Sequence, residues 1–128
     1  MNDQNKINNK IKKIYLYKVL HTEIMEGEMV KNLNPKEIIK TIEQHKDDLN
    51  RYSVKKIGLF GSFLKRKTHK KSDIDLLVSF QETTFDNYIE LKFMLEKLFH
   101  RKVDLVIEEN LKSSLKYVKN EALYAKAI

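Results

Sequence analysis

Two short runs of alternating apolar residues lie at the centre of the chain and end at turn signals. They span Val54–Phe60 and Ile74–Phe80, and both are rich in Ile, Leu, Val and Phe. This pattern predicts two strands. A parallel pair would need a longer crossover than the segment that joins them, so we predict antiparallel neighbours. A third run, Lys102–Ile107, alternates in the same way and predicts a third strand.

Apolar residues at helical spacing predict helices on either side of these strands. Asn34 is a favourable N-cap and Pro35 a favourable first residue, so we expect a helix that begins here and ends near Asn50. A second helix has Thr84 or Asp86 as its N-cap. The residues expected to mark the buried faces are Ile38, Ile39, Ile42, His45 and Leu49 in the first helix, and Tyr88, Leu91, Leu95, Leu98 and Phe99 in the second.

The two ends of the chain complete the expected architecture. A last helix is capped by Ser113 or Ser114, and its packing residues are Leu115, Val118, Ala122 and Ala125. Residues 1–34 show looser helical spacing on a Lys-rich background, which predicts a helical extension before a domain at 35–128. The sequence therefore predicts an α+β fold, with a small mixed or antiparallel sheet flanked by helices.

The second strand carries two carboxylates at its start, Asp73 and Asp75. Because side chains alternate along a strand, both leave the sheet on the same side. Two anions held so close repel each other, so a cation is expected between them. For oxygen ligands, in a chain without Cys or a His cluster, the natural candidate is Mg²⁺.

A turn that could bind phosphate follows the first strand. Gly61 permits a sharp bend and a close approach of a ligand, and Ser62 is a favoured N-cap for a short helix over Phe63–Lys67. The exposed N–H groups of such a helix start attract phosphate oxygens, and the Ser62 hydroxyl can add a hydrogen bond. A phosphate site beside a metal site indicates phosphoryl or nucleotidyl transfer.

These residues resemble the signature of a known family. Gly61-Ser62, ten intervening residues and then Asp73-Ile74-Asp75 are similar to the G-S-x(10)-D-x-D motif of the DNA polymerase beta nucleotidyltransferase superfamily. Val103-Asp104-Leu105-Val106 resembles the third carboxylate strand of that family. The order of motifs and helices over residues 35–127 is most similar to the minimal nucleotidyltransferases, and implies a polymerase-beta-like nucleotidyltransferase fold.

The resemblance assigns roles to the residues that match it. It implies that Asp73, Asp75 and Asp104 are catalytic, that together they bind two Mg²⁺ ions, and that Asp104 is also the general base. Gly61 and Ser62 would hold the β and γ phosphates of ATP.

The basic positions after the turn depart from the family pattern. The family usually has Arg where this chain has Lys65, followed by Arg66, and both are candidate nucleotide-binding residues. Because Lys donates as a point charge, a bidentate contact is either lost or moved to Arg66.

Minimal nucleotidyltransferases are often antitoxins of HEPN-domain toxins, which sets the functional expectation. The resemblance implies a protein adenylyltransferase that transfers AMP from ATP to a tyrosine hydroxyl of a HEPN ribonuclease toxin. It also implies that the two proteins form a hetero-oligomer. A non-catalytic antitoxin that acts by tight binding is the first alternative. Nucleotidyl transfer to a small molecule or to an RNA end is the second.

Charge and composition limit the classes of binding partner that the chain is expected to have. The formal net charge is +7, and five basic residues lie within 65–71, beside the proposed phosphate site. That cluster either attracts a nucleoside triphosphate or an acidic partner, or simply keeps a loop solvated. The rest of the domain is close to balanced, which argues against direct nucleic-acid binding. No Cys is present and no apolar run approaches the roughly 20 residues of a membrane span, so we expect a cytoplasmic protein with no membrane anchor.

Overall fold

The structure, a computed structural model, describes residues 9–10, 12–13, 33–65 and 72–126. Within them, four strands form one sheet: β1 (Val54–Phe60), β2 (Ile74–Phe80), β3 (Val103–Ile107) and β4 (Leu123–Tyr124). The spatial order is β3-β2-β1-β4. β1 pairs antiparallel with β2 and β4, whereas β2 and β3 are parallel. The predicted antiparallel β1–β2 pair and the mixed sheet are confirmed.

Helices and turns connect these strands. They are α1 (Pro35–Gln44), α2 (Lys46–Arg51), α3 (Gly61–Leu64), α4 (Phe85–Phe99) and α5 (Val118–Glu121), with 3-10 turns at Glu108–Asn110 and Ser113–Leu115. Thr84 is the N-cap of α4 and accepts a hydrogen bond from the Asn87 N–H at 3.0 Å. No helix in the described ranges has the length and apolar character needed to cross a membrane.

The first predicted helix is in fact two helices. Asn34 caps α1 as expected, since its side chain accepts from the Glu37 N–H at 2.9 Å. The helix then breaks at His45, whose N–H donates to the Ile42 carbonyl. The Thr41 carbonyl oxygen instead lies at hydrogen-bond distance from the His45 ring, 2.8 Å from Nδ1. This carbonyl would accept the His45 N–H in a continuous α-helix, so the ring contact marks the break.

The hydrophobic core lies on one face of the sheet, under α1, α2 and α4. The alternate residues of β1 and β2 point into it, and the helices contribute their predicted apolar stripes. Fully buried members include Ile38, Ile42, Leu49, Ile57, Leu59, Ile74, Leu76, Val78, Leu91 and Leu95. Each such side chain contributes on the order of 2 kcal/mol from burial. The opposite face of the sheet carries Asp75, which is half-buried, together with the buried Leu77 and Ser79.

The predicted C-terminal helix is wrong in extent. Only α5 is α-helical there, and the chain continues into β4, which pairs with the free edge of β1. Gly58 makes this pairing possible, because a Cβ at that position would lie 2.7 Å from the Tyr124 ring. Val118 is buried as expected, but Leu115 is 42% exposed. Covering an open strand edge satisfies backbone groups that a longer helix would leave unpaired.

The predicted N-terminal extension falls mostly outside the described residues. Asn9, Lys10, Lys12 and Lys13 are described and are helical. Lys13 forms an ion pair with Glu90, and the Lys10 ammonium lies 4.8 Å from the centre of the Phe85 ring. These contacts join the segment to α4. The boundary between extension and domain stays a prediction.

One carboxyl group lies inside the core. Glu96 in α4 is 1% exposed, and its Oε2 accepts the Val103 N–H at 2.8 Å. Burial raises the pKa of Glu96 from 4.5 to about 7, against the opposing effects of the Val103 hydrogen bond and the Lys102 charge. The neutral form is therefore the one that folding favours.

We expect stability to fall with rising pH because of Glu96. The folded protein holds this proton more tightly than the unfolded chain, so the contribution is complete below about pH 4.5 and is lost as pH rises through about 7. Urea unfolding of wild type and Glu96→Gln across this range should show a gap that grows in favour of the variant by up to about 3 kcal/mol. A gap that stays constant would contradict the buried-acid assignment.

Candidate active site

The Gly61 turn is built around the side chain of Asp75. Gly61 has φ 75°, a left-handed conformation that favours glycine. A Cβ there would overlap Asp75 Oδ2 and would lie 2.9 Å from Asp75 Cγ. Gly61 is therefore required twice, once for the bend and once for the approach of the carboxylate.

Asp75 also replaces the predicted cap of the short helix. We expected Ser62 to be the N-cap of a helix over Phe63–Lys67, but α3 begins at Gly61 and ends at Leu64, and its N-cap residue is Phe60. The Ser62 backbone donates a hydrogen bond to Asp75. A carboxylate from the neighbouring strand thus satisfies an N–H that a local cap would otherwise bind.

The sheet register brings Asp104 beside Asp75. Asp75 is opposite Phe60 on β1 and opposite Asp104 on β3. Residues in register on neighbouring strands point to the same face, about 4.8 Å apart along the hydrogen-bonding direction. Asp104 therefore joins the face that holds Asp75 and the Gly61 turn. It is exposed, whereas Asp75 is half-buried.

Asp73 is the more distant member of the predicted trio. It lies one residue before β2 and is exposed. In residues 33–65 and 72–126, no three His, Cys, Asp or Glu side chains are placed so that they could hold a metal ion together. The structure assembles a pair, Asp75 and Asp104, and a metal site formed by all three carboxylates stays a prediction.

The charges of Asp75 and Asp104 favour the binding of a cation between them. The pKa of Asp75 rises from 3.8 to about 6, first because of burial and then because of the charge of Asp104. Asp73 adds to the rise, and the Ser62 hydrogen bond opposes it. A cation placed between these carboxylates would relieve both the repulsion and the cost of burial.

The basic residues near the turn are only partly described. Lys65 is exposed at the end of α3, and Arg66 lies outside the described residues. Another arginine, which the sequence did not single out, contacts this region. The Arg101 guanidinium lies 5.3 Å from the centre of the Phe63 ring, and its Nη1 donates to the Ser72 carbonyl at 3.2 Å. Arg101 therefore joins α3 to the residue that leads into Asp73.

Comparison with known proteins agrees with this geometry. The family described as "Polymerase beta, Nucleotidyltransferase" matches residues 36–126. The protein adenylyltransferase MntA of Thermococcus cleftensis is 39% identical over 95 residues, which cover 72% of this chain and 96% of that protein.

Two solved structures share the fold. One, described as a minimal nucleotidyltransferase, has a TM-score of 0.63 and 29% identity over 73% of this chain and 97% of its own. A toxin–antitoxin structure with AMP-PNP has a TM-score of 0.51 and 25% identity, over 62% of this chain and 64% of its own. The family match, the adenylyltransferase relative and the paired aspartates beside a Gly-Ser turn lead to one conclusion: this chain belongs to the polymerase beta nucleotidyltransferase family and is a minimal nucleotidyltransferase.

Proposed function

We propose that this protein is a Mg²⁺-dependent antitoxin that transfers AMP from ATP to a tyrosine hydroxyl of a HEPN ribonuclease toxin. The observation that carries the proposal is the contact of Asp75 with both the Gly61 turn and the neighbouring Asp104. This contact joins the proposed nucleotide side of the site to its proposed metal side. The similarity to a protein adenylyltransferase supports the reaction, and the toxin–antitoxin neighbour with AMP-PNP supports the partner and the nucleotide.

The residues of the pair fit a hard divalent cation. Their donors are carboxylate oxygens, and the pKa of Asp75 is raised first by burial and then by the charge of Asp104. We assign Asp75 and Asp104, which the structure already pairs, as the first ligands. Asp73 is not grouped with them in the structure and would be the third ligand only once Mg²⁺ draws it in. When bound, Mg²⁺ would neutralise charge on the triphosphate and lower the pKa of the attacking hydroxyl.

The chain's own residues then position and deprotonate the reactants. The Ser62 N–H donates to Asp75, so we assign the contact with the phosphates to the Ser62 hydroxyl. Asp104 accepts the proton of the acceptor hydroxyl, whose oxygen forms a bond to the α-phosphorus as the bond to the β-phosphate bridging oxygen breaks. Pyrophosphate leaves and an AMP ester remains. Asp104 is exposed on the outer part of the sheet, where a hydroxyl of a second protein can reach it.

The test is transfer of label to the toxin. We expect purified protein, Mg²⁺ and ATP labelled in the α-phosphate to label a HEPN toxin encoded beside this gene, at a tyrosine identified by mass spectrometry. Chelation with EDTA should abolish the label and excess Mg²⁺ should restore it, because the carboxylates repel the triphosphate when no cation lies between them. A toxin that is bound and neutralised but never labelled would instead identify a non-catalytic antitoxin.

A further inference from the structure

β3 is one of the two edge strands of the described sheet, so every second residue of β3 turns its backbone groups away from β2. The Ile74 N–H donates to the Lys102 carbonyl at 3.0 Å, so the backbone of residue 102 faces β2. Because the direction alternates along a strand, Asp104 also faces β2 with its backbone, whereas Val103 and Leu105 face outward. Outward groups that are buried under a helix need hydrogen-bond partners, and side chains of that helix can supply them.

Two side chains of α4 supply those partners. Glu96 Oε2 accepts the Val103 N–H at 2.8 Å, and the Tyr88 hydroxyl donates to the Leu105 carbonyl at 2.8 Å. Glu96 is 1% exposed, and Tyr88 is half-buried. The two contacts hold the residues immediately before and after Asp104.

We propose that Glu96 and Tyr88 are positioning residues, which clamp the β3 backbone on both sides of Asp104 and so fix its carboxylate beside Asp75. This inference rests on the proposed role of Asp104 in AMP transfer. The side chain of Asp104 is exposed, and whether it reaches Asp75 depends on where the β3 backbone places it. Misplacement of a reacting group by about 1 Å can cost on the order of 10²-fold in rate.

The variants separate positioning from packing. Glu96→Gln keeps an acceptor for the Val103 N–H, Glu96→Leu removes it, and Tyr88→Phe removes only the hydroxyl. Lys97→Gln, on the exposed side of the same helix, is the matched control. We expect Glu96→Leu and Tyr88→Phe to lower kcat about 10- to 100-fold with KM for ATP within about 3-fold of wild type, as for other residues that act through a ligand. Glu96→Gln and Lys97→Gln should stay near wild type.

Amide hydrogen exchange provides a readout that does not depend on activity. Exchange at Val103 should accelerate in Glu96→Leu and remain slow in Glu96→Gln. Unchanged exchange, or a kcat in Glu96→Gln as low as in Glu96→Leu, would overturn the inference. Should Glu96→Leu fail to fold, Tyr88→Phe decides alone, and wild-type kcat in that variant overturns it. A wild-type protein without transferase activity would contradict the proposed function itself. An active wild type whose Glu96 and Tyr88 variants keep full activity would contradict only the positioning role of these two residues.

Discussion

Asp104→Asn is expected to abolish AMP transfer and, at the same time, to raise the melting temperature of the metal-free protein. The substitution removes a metal ligand and the proposed base, so we expect activity to fall by at least about 10²-fold. It also removes the charge that, after burial, does most to raise the pKa of Asp75. Because Asp104 is exposed, solvent screens the repulsion, and we expect a gain of roughly 2–4 °C.

Labelled ATP and differential scanning fluorimetry together check this prediction. Mg²⁺ should raise the melting temperature of wild type but have little effect on Asp104→Asn, since ligands stabilise the state that binds them. The matched control is Asp47→Asn, an exposed residue of α2, which should show neither the activity loss nor the thermal gain. A variant that keeps transferring AMP would remove Asp104 from the mechanism.

The same variant separates the two kinds of antitoxin. If neutralisation requires chemistry, cells that express the toxin together with Asp104→Asn should stop growing, although the two proteins still associate. If binding alone neutralises, growth should match wild type. Because Asp104 carries no core packing, its loss leaves the rest of the surface intact, and the comparison reports on catalysis.

Much of the sheet and of the paired site follows from alternation. The bounds of β1 and β2 agree with the prediction because bulky apolar residues end at Gly61 on one side and at Gln81 on the other. Because side chains alternate along a strand, this pattern also predicts the face of the sheet on which Asp75 and Asp104 lie. Alternation fixes a face and leaves the register open, so the alignment of Asp75 with Asp104 comes from the folded β2–β3 pair.

The features that sequence reasoning missed depend on contacts between distant residues. Strand β4 has two residues, too few for any periodic signal, and is held by its pairing to β1 and by the space above Gly58. The Ser62 N–H at the start of α3 donates to Asp75, which is thirteen positions further along the chain. Local capping rules consider only neighbouring residues, so they do not predict this contact. The contacts of Glu96 and Tyr88 with β3 likewise cross between elements.

Gly61→Ala is expected to lower both the stability of the protein and its rate of AMP transfer. A non-glycine residue at φ 75° costs about 1–3 kcal/mol. The added Cβ also overlaps the Asp75 carboxylate, which has to leave its position or force the turn open. We therefore expect a loss of stability in urea unfolding and a fall in AMP transfer on the order of 10²-fold, because the displaced group is a proposed metal ligand.

Gly58→Ala is the control that distinguishes a damaged site from a weakened fold. Its Cβ would lie 2.7 Å from the Tyr124 ring and 3.2 Å from the Leu123 carbonyl oxygen, at the pairing of β1 with β4. We expect a comparable loss of stability, but with activity near wild type at temperatures where the variant is folded, because Asp75 is untouched. If both variants lose the same activity for each kcal/mol lost from the free energy of unfolding, Gly61 acts only through stability. A much larger loss in Gly61→Ala, partly relieved by combining it with Asp75→Ala in the unfolding assay, would identify the collision with the carboxylate as its cause.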